Sequence, residues 1–186
     1  MEHFIQSDDK TIQIINQWSK ISPEENKGRD EHYMRVMKIL FGEKAEELLE
    51  NAEQKAKMEM NVGYYIQDFI GNNLKGHVNY GQSHESGLDG ENNLGSEKII
   101  YEIKTGGTTM NSSSLYGCIT KLKNATKDNQ CKPLLIQFFR KSKITHRGKY
   151  ADILITGEDY LNKYVSPEIG GVEGLVSYME KIKYNR

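Results

Sequence analysis

Cysteine is scarce. Cys118 and Cys131 are the only two in 186 residues, and they stand 13 apart. That separation is no metal-ligand spacing, and the pair reads as two reduced, partly buried thiols of a cytoplasmic protein. Long apolar runs are missing as well: none approaches the roughly 20 residues of a membrane helix. The opening MEHFIQSDDK has neither the basic head nor the apolar stretch of a signal peptide. The expectation is a cytoplasmic chain without a membrane partner. A basic surplus is also lacking, with 25 Lys and Arg against 26 Asp and Glu. Phosphate neutralisation drives nonspecific binding to nucleic acid. A role on DNA therefore requires a local basic patch, a metal ion or a partner. No repeat or low-complexity segment is visible.

What is present suits one folded domain, with 37% hydrophobic and 27% charged residues. The N-terminal region, 1–60, reads as helical. Ser7-Asp8-Asp9 caps a helix carrying Ile12, Ile15 and Trp18, and Pro23 and Gly28 interrupt the pattern. Asp30 opens a second helix with Tyr33, Met34, Met37, Leu40 and Phe41 at helical spacing, stopped near Gly42. Residues 43–60 form a charged stretch with a thin stripe of Leu48, Leu49, Ala52 and Ala56. Val62, Tyr65, Ile66, Phe69 and Ile70 then fall at the i, i+3, i+4, i+7, i+8 positions of a core-facing helix.

The pattern changes period after Gly76. A strand is expected over 77–82, followed by a polar, glycine-dotted stretch from Ser83 to Glu97. Residues 98–104, KIIYEIK, alternate: Ile99, Tyr101 and Ile103 point one way, Ile100, Glu102 and Lys104 the other. Leu115, Tyr116, Ile119 and Leu122 mark the next helix. Strands are expected at 134–139, behind Pro133, and at 150–156, and a closing helix at 172–183. This order defines a mixed α/β domain with a central sheet flanked by helices. Its catalytic core spans 61–156 and its C-terminal helical segment 157–186.

Three charged groups gathered on adjacent strands are costly unless they serve something. Asp89 lies in a loop or short strand, and Glu102 and Lys104 share one face of the next strand. Two carboxylates with the main-chain carbonyl of Ile103 form an oxygen donor set for Mg²⁺. Such an ion stabilises charge developing on a phosphate and lowers the pKa of an attacking water. Lys104 would orient that water or contact the scissile phosphate. The stretch beginning at Asp89 is not an EF-hand loop, because Leu94 stands where glycine is required.

Gly87-Leu88-Asp89, followed by Tyr101-Glu102-Ile103-Lys104-Thr105, resembles the PD-(D/E)XK nuclease superfamily. The resemblance extends over roughly 60–156, through the order of helix, motif strands, helix and further strands. It implies a restriction-endonuclease-like fold and Mg²⁺-dependent hydrolysis of double-stranded DNA. The chain departs from the pattern in having Leu88 where proline commonly precedes the first acid, and in a long interval between the acids. Glu85 and Glu91 are therefore alternatives to Asp89. In many relatives a glutamate sits four residues after a helix glycine, but here Gly63 is followed by Gln67. Glu59 and Asp68 are weaker candidates on that helix, and His84 is a further neighbour. Among superfamily members, size and charge resemble the small catalytic subunit of heterodimeric type IIS restriction endonucleases, implying a larger DNA-recognising subunit. A homodimeric restriction enzyme, a structure-specific resolvase or repair nuclease, and a noncatalytic subunit of nuclease fold are the alternatives. Lys141, Lys143, Arg147 and Lys149 form an acid-free cluster with Arg140 and His146, suited either to DNA phosphates or to a solvated turn.

Overall fold

The structure, a computed structural model, describes residues 4–18, 31–45, 52–81, 83–105, 112–127, 130–139 and 149–184. Helix α3, Ala52–Asn73, supplies the apolar stripe that organises it. Val62, Tyr65, Ile66, Phe69 and Ile70 are all completely buried. Full burial of one such side chain stabilises by about 1.5–3 kcal/mol, so five on one face outweigh the polar remainder of the helix. Two further helices pack beside it, α1 at Asp8–Trp18 and α2 at Glu31–Phe41. Ser7 Oγ accepts from the Lys10 amide at 3.1 Å at the start of α1, as its capping role predicts.

A short meander follows. Strands β1 (His77–Asn79), β2 (Gly90–Asn92) and β3 (Ile99–Lys104) pair antiparallel. Helix α4, Ser112–Thr126, then crosses over the sheet and delivers β4, Lys132–Gln137, parallel to β3. Strand β5, Leu154–Thr156, is parallel to β4 and completes a five-stranded mixed sheet of order β1-β2-β3-β4-β5. Helices α5, Gly157–Tyr164, and α6, Gly171–Tyr184, complete the described chain.

Alternation along β3 divides the interior in two. Ile99, Tyr101 and Ile103 join the larger core beneath α1, α2, α3, α5 and α6. Ile100 joins a smaller core with Leu88, Leu135 and Leu154, covered by Leu115, Ile119 and Leu122 of α4. Glu102 and Lys104 share Ile100's face of the strand, so the candidate centre lies on the α4 side of the sheet.

Several expected boundaries moved. Residues 52–73 form one continuous helix rather than a charged helix followed by a core-facing one. The strand expected over 77–82 ends at Asn79, with Gly81 at φ 71° turning the chain. Strand β4 begins at Lys132 and stops before Phe138-Phe139, which form a turn. Pro133 is tolerated inside it because β4 pairs with β5 only from Leu135 onward, so no ladder bond is missing where the proline lacks its N–H. Residues 150–153 are a turn before the short β5. Tyr116, expected on the apolar stripe of α4, is 63% exposed.

Candidate active site

The β2–β3 register assembles the centre. Gly90 pairs with Tyr101, Glu91 with Ile100 and Asn92 with Ile99. The ladder ends at Gly90: the Asp89 amide donates to the Tyr101 carbonyl at 3.2 Å, and Asp89 lies close enough to Glu102 to feel its charge. Asp89 is locked there by its own side chain, whose Oδ2 accepts from the Ile103 amide at 2.6 Å. A strand residue sends its N–H and C=O to the same edge, so the Ile103 carbonyl also leaves toward the Asp89 side. Lys104 Nζ donates to Glu102 Oε1 at 2.6 Å. From α3, Gln67 lines one cleft with Asp89, so the glutamine at the glycine-plus-four position lies beside that acid and favours its charged form.

The electrostatics are those of an undercompensated acidic site. Asp89 is pushed up to about 7, first by burial and then by the charge of Glu102. The Ile103 amide, Lys104 and Gln67 oppose the shift without overcoming it. Burial disfavours the Lys104 ammonium, but the charge and hydrogen bond of Glu102 prevail and hold it above the usual lysine value. Glu102 is 5% exposed, and its second carboxylate oxygen, Oε2, is buried with no hydrogen-bond partner. Leaving a buried carboxylate oxygen unpaired is expensive. Two carboxyls, one ammonium, an unpaired hard oxygen and a nearby main-chain carbonyl fit a divalent cation that prefers oxygen ligands. Among the described residues, no group of three or more His, Cys, Asp or Glu is placed to hold a metal ion. The side-chain oxygens available to such a cation among the described residues are those of the two carboxylates.

The other candidates are placed as follows. Glu91 is engaged by Lys98 at 2.5 Å, the Tyr80 hydroxyl at 2.5 Å and Asn93 at 2.9 Å. His84 is exposed, stacked on Tyr80 with ring centroids 4.2 Å apart, and its Nδ1 contacts Ser86 Oγ at 2.7 Å. Glu85 is exposed in the turn beside it, and Glu59 is exposed toward the N-terminal half of α3. Asp68 takes a structural part: Trp18 Nε1 donates to it at 2.6 Å and Asn79 Nδ2 at 2.6 Å, tying α1 and β1 to α3. Lys149 is exposed. Lys141, Lys143 and Arg147, and most of the Gly106–Ser114 loop, lie outside the described residues.

Two neighbours were not anticipated. Cys118 of α4 brings its thiol 3.9 Å from Glu102 Oε1, and burial pushes that thiol up. Its signal was its position, three residues after Leu115 and next to Ile119 on the covered side of α4. A cleft of about 160 Å³ opens beside Asp89 and is lined by Tyr64, Gln67, Asp68, Asn79 and Gly87. It gives Asp89 an approach from solvent. No protein-family model, curated protein or solved structure matches the chain.

Proposed function

We propose that the chain is the catalytic domain of a Mg²⁺-dependent DNA endonuclease with a restriction-endonuclease-like fold. The observation that carries this reading is the half-buried Asp89 beside the buried Glu102, with an orphaned Glu102 oxygen and Lys104 at 2.6 Å from that carboxylate. The order α3-β1-β2-β3-α4-β4, with an antiparallel meander followed by a parallel strand, supports it.

Asp89, Glu102 and the carbonyl of Ile103 would hold the ion. When bound, Mg²⁺ neutralises charge on the phosphate and makes a water more acidic. The chain's own groups do the rest. The Ile103 amide fixes the Asp89 carboxyl in place, and Gln67 lies beside it in the cleft. Burial and the charge of Glu102 raise the metal-free Asp89 carboxyl above the usual carboxylate range, and a bound cation would oppose that shift by favouring the carboxylate. An ammonium carries three donors. Lys104 spends one on Glu102 and keeps the others for the attacking water or a phosphate oxygen. The products are a DNA end bearing phosphate and one bearing hydroxyl, with water supplying the new P–O bond.

With a net charge of −1, the chain has little general attraction for DNA. We therefore assign it the role of the small catalytic subunit, cutting one strand beside a larger DNA-recognising subunit in a type IIS restriction system. The test compares plasmid cleavage in Mg²⁺ by the chain alone and with its candidate partner, on intact and nicked duplexes. Poor or unspecific cutting alone and specific cutting in the complex are expected. Asp89→Ala and Glu102→Ala should abolish cleavage with an unchanged circular dichroism spectrum. Retained cutting by Glu102→Ala refutes the centre. Specific double-strand cleavage by the chain alone points instead to a homodimeric restriction enzyme, and preferential cutting of branched DNA to a resolvase or repair nuclease.

A further inference from the structure

Charge along this chain is segregated. From Ile103 to Lys127 there is no acidic residue, while Lys104, Lys121, Lys123 and Lys127 all occur there. Most of this stretch is α4 and the turn after it. The outward side of α4 presents Tyr116, Gly117, Thr120, Lys121, Lys123 and Asn124, all exposed, and Lys127 follows. No described ion pair engages these three lysines. Within a net charge of −1, the described part of this face thus carries cations that no described carboxylate pairs.

One edge of that face, at Cys118 and Lys121, adjoins the candidate centre, and the other edge carries Lys123. Cys118, next to Gly117, lies 3.9 Å from Glu102. Lys121 reaches across to the Asp89 loop, where a Cβ built on Gly87 would sit 3.4 Å from its Nζ. Further along, Lys123 and Lys149 converge on one ring, 5.9 and 5.5 Å from the centroid of Tyr150. Gly117 adds an independent sign. Glycine inside a helix is unfavourable relative to alanine, yet a Cβ here would meet nothing within 4 Å. Packing among the described residues does not require the glycine. A bare backbone at that point permits close approach by a ligand from outside.

We infer that the exposed face of α4, from Gly117 to Lys127, is the surface along which the sugar–phosphate backbone of duplex DNA lies beside the acid pair. This rests on the nuclease reading for its choice of polyanion. The dimensions agree: Lys121 to Lys127 spans about 9 Å of helix axis, matching two to three phosphates at about 3.4 Å of duplex axis per strand charge. Thr120 and Asn124 add neutral donors between the cations, a mixture suited to phosphate and sugar contacts.

The test measures anisotropy of a labelled duplex titrated with the full chain in chelator, from low to physiological salt. Changing Lys121, Lys123 and Lys127 together to Gln should weaken binding at low salt and reduce the salt slope by about 2 to 3, at about 0.9 per phosphate contact. The matched control replaces Lys75, in the turn before β1, and Lys181 and Lys183 of α6, all exposed and away from α4 in sequence, and should leave the slope unchanged. Gly117→Leu should weaken binding without lowering the melting temperature. An unchanged slope in the α4 variant, equal losses in the control, or no wild-type binding even at low salt overturns the inference. So does binding to phosphatidylserine vesicles or an acidic polypeptide in place of DNA. A parallel Mg²⁺ cleavage assay with Glu102→Gln separates the two readings. Lost cutting with an unchanged α4 slope defeats this inference alone. A reduced α4 slope with no Mg²⁺-dependent cutting by the wild type defeats the nuclease reading alone.

Discussion

Replacing Asp89 by Asn should stabilise the metal-free protein in alkaline solution. Folding moves this carboxyl from 3.8 to about 7, chiefly through burial and the Glu102 charge. At about 1.36 kcal/mol per tenfold change in proton affinity, that interval corresponds to about 4 kcal/mol. The folded chain binds this proton more tightly than the unfolded chain. Stability from this group is therefore retained at low pH, falls as pH rises from about 4 to about 7, and stays lost above that. Between about pH 5 and about pH 8 the loss is about 2–3 kcal/mol, or about 5–10 °C in melting temperature for a domain of this size. Asn keeps an oxygen for the Ile103 amide but does not ionise. Thermal melts in chelator should show a wild-type curve that declines over this window relative to the Asn variant. Adding Mg²⁺ at about pH 8 should raise the wild type and leave the variant unmoved. Parallel pH curves, or an Asn variant less stable than the wild type at about pH 8, would refute the reasoning.

Other substitutions test the frame around the centre. Tyr160→Phe strands two buried partners, since the hydroxyl meets His77 Nε2 at 2.9 Å and accepts from Asn92 at 3.1 Å; a denaturant titration should show a loss of about 1–3 kcal/mol. Tyr65→Phe removes a buried hydroxyl that has no partner, and the same titration should find it neutral or stabilising. Gly71→Ala would bring a Cβ within 2.6 Å of Asn79 Cβ, forcing α3 from β1 at about 1–3 kcal/mol, measurable as a lower melting temperature. Gly117→Ala meets nothing and should raise helix stability by about 0.5–1 kcal/mol, while a salt titration should find DNA binding no stronger.

Much of the frame was legible because burial imposes period. The i, i+3, i+4 stripe of α3 and the alternation of β3 each announce their element, and the β3 alternation also assigns Glu102 and Lys104 to one side. Strand β2 was not legible. Gly90-Glu91-Asn92 has little strand preference, and pairing on both sides makes the strand. Helix α5 falls in the segment 157–186 expected to be helical, but it was not delimited as a separate helix because it opens with Gly157. A Cβ there would sit 2.9 Å from Phe138 Cα, a tertiary demand that no local pattern displays, although Thr156 does accept from the Asp159 amide. Tyr116 was assigned inward from its chemistry alone, whereas Leu115, Ile119 and Leu122 suffice to cover the sheet. At the site, the motif residues announced themselves by charge on an apolar strand. The contribution of Gln67 depends on how α3 crosses the sheet, and the contact of Cys118 on how α4 does.

The most direct measurement of the central claim is single-turnover cleavage of an end-labelled duplex by the chain with its recognition partner, comparing wild type with Glu102→Gln. That substitution keeps the side chain's size and removes one of the two carboxylates on which the donor set depends. The account predicts Mg²⁺-dependent strand scission by the wild type, abolished by chelator and reduced at least about 100-fold by Glu102→Gln, a loss of about 2.7 kcal/mol or more in transition-state stabilisation. Scission at wild-type rate by Glu102→Gln, or equally fast cutting in chelator, would contradict it.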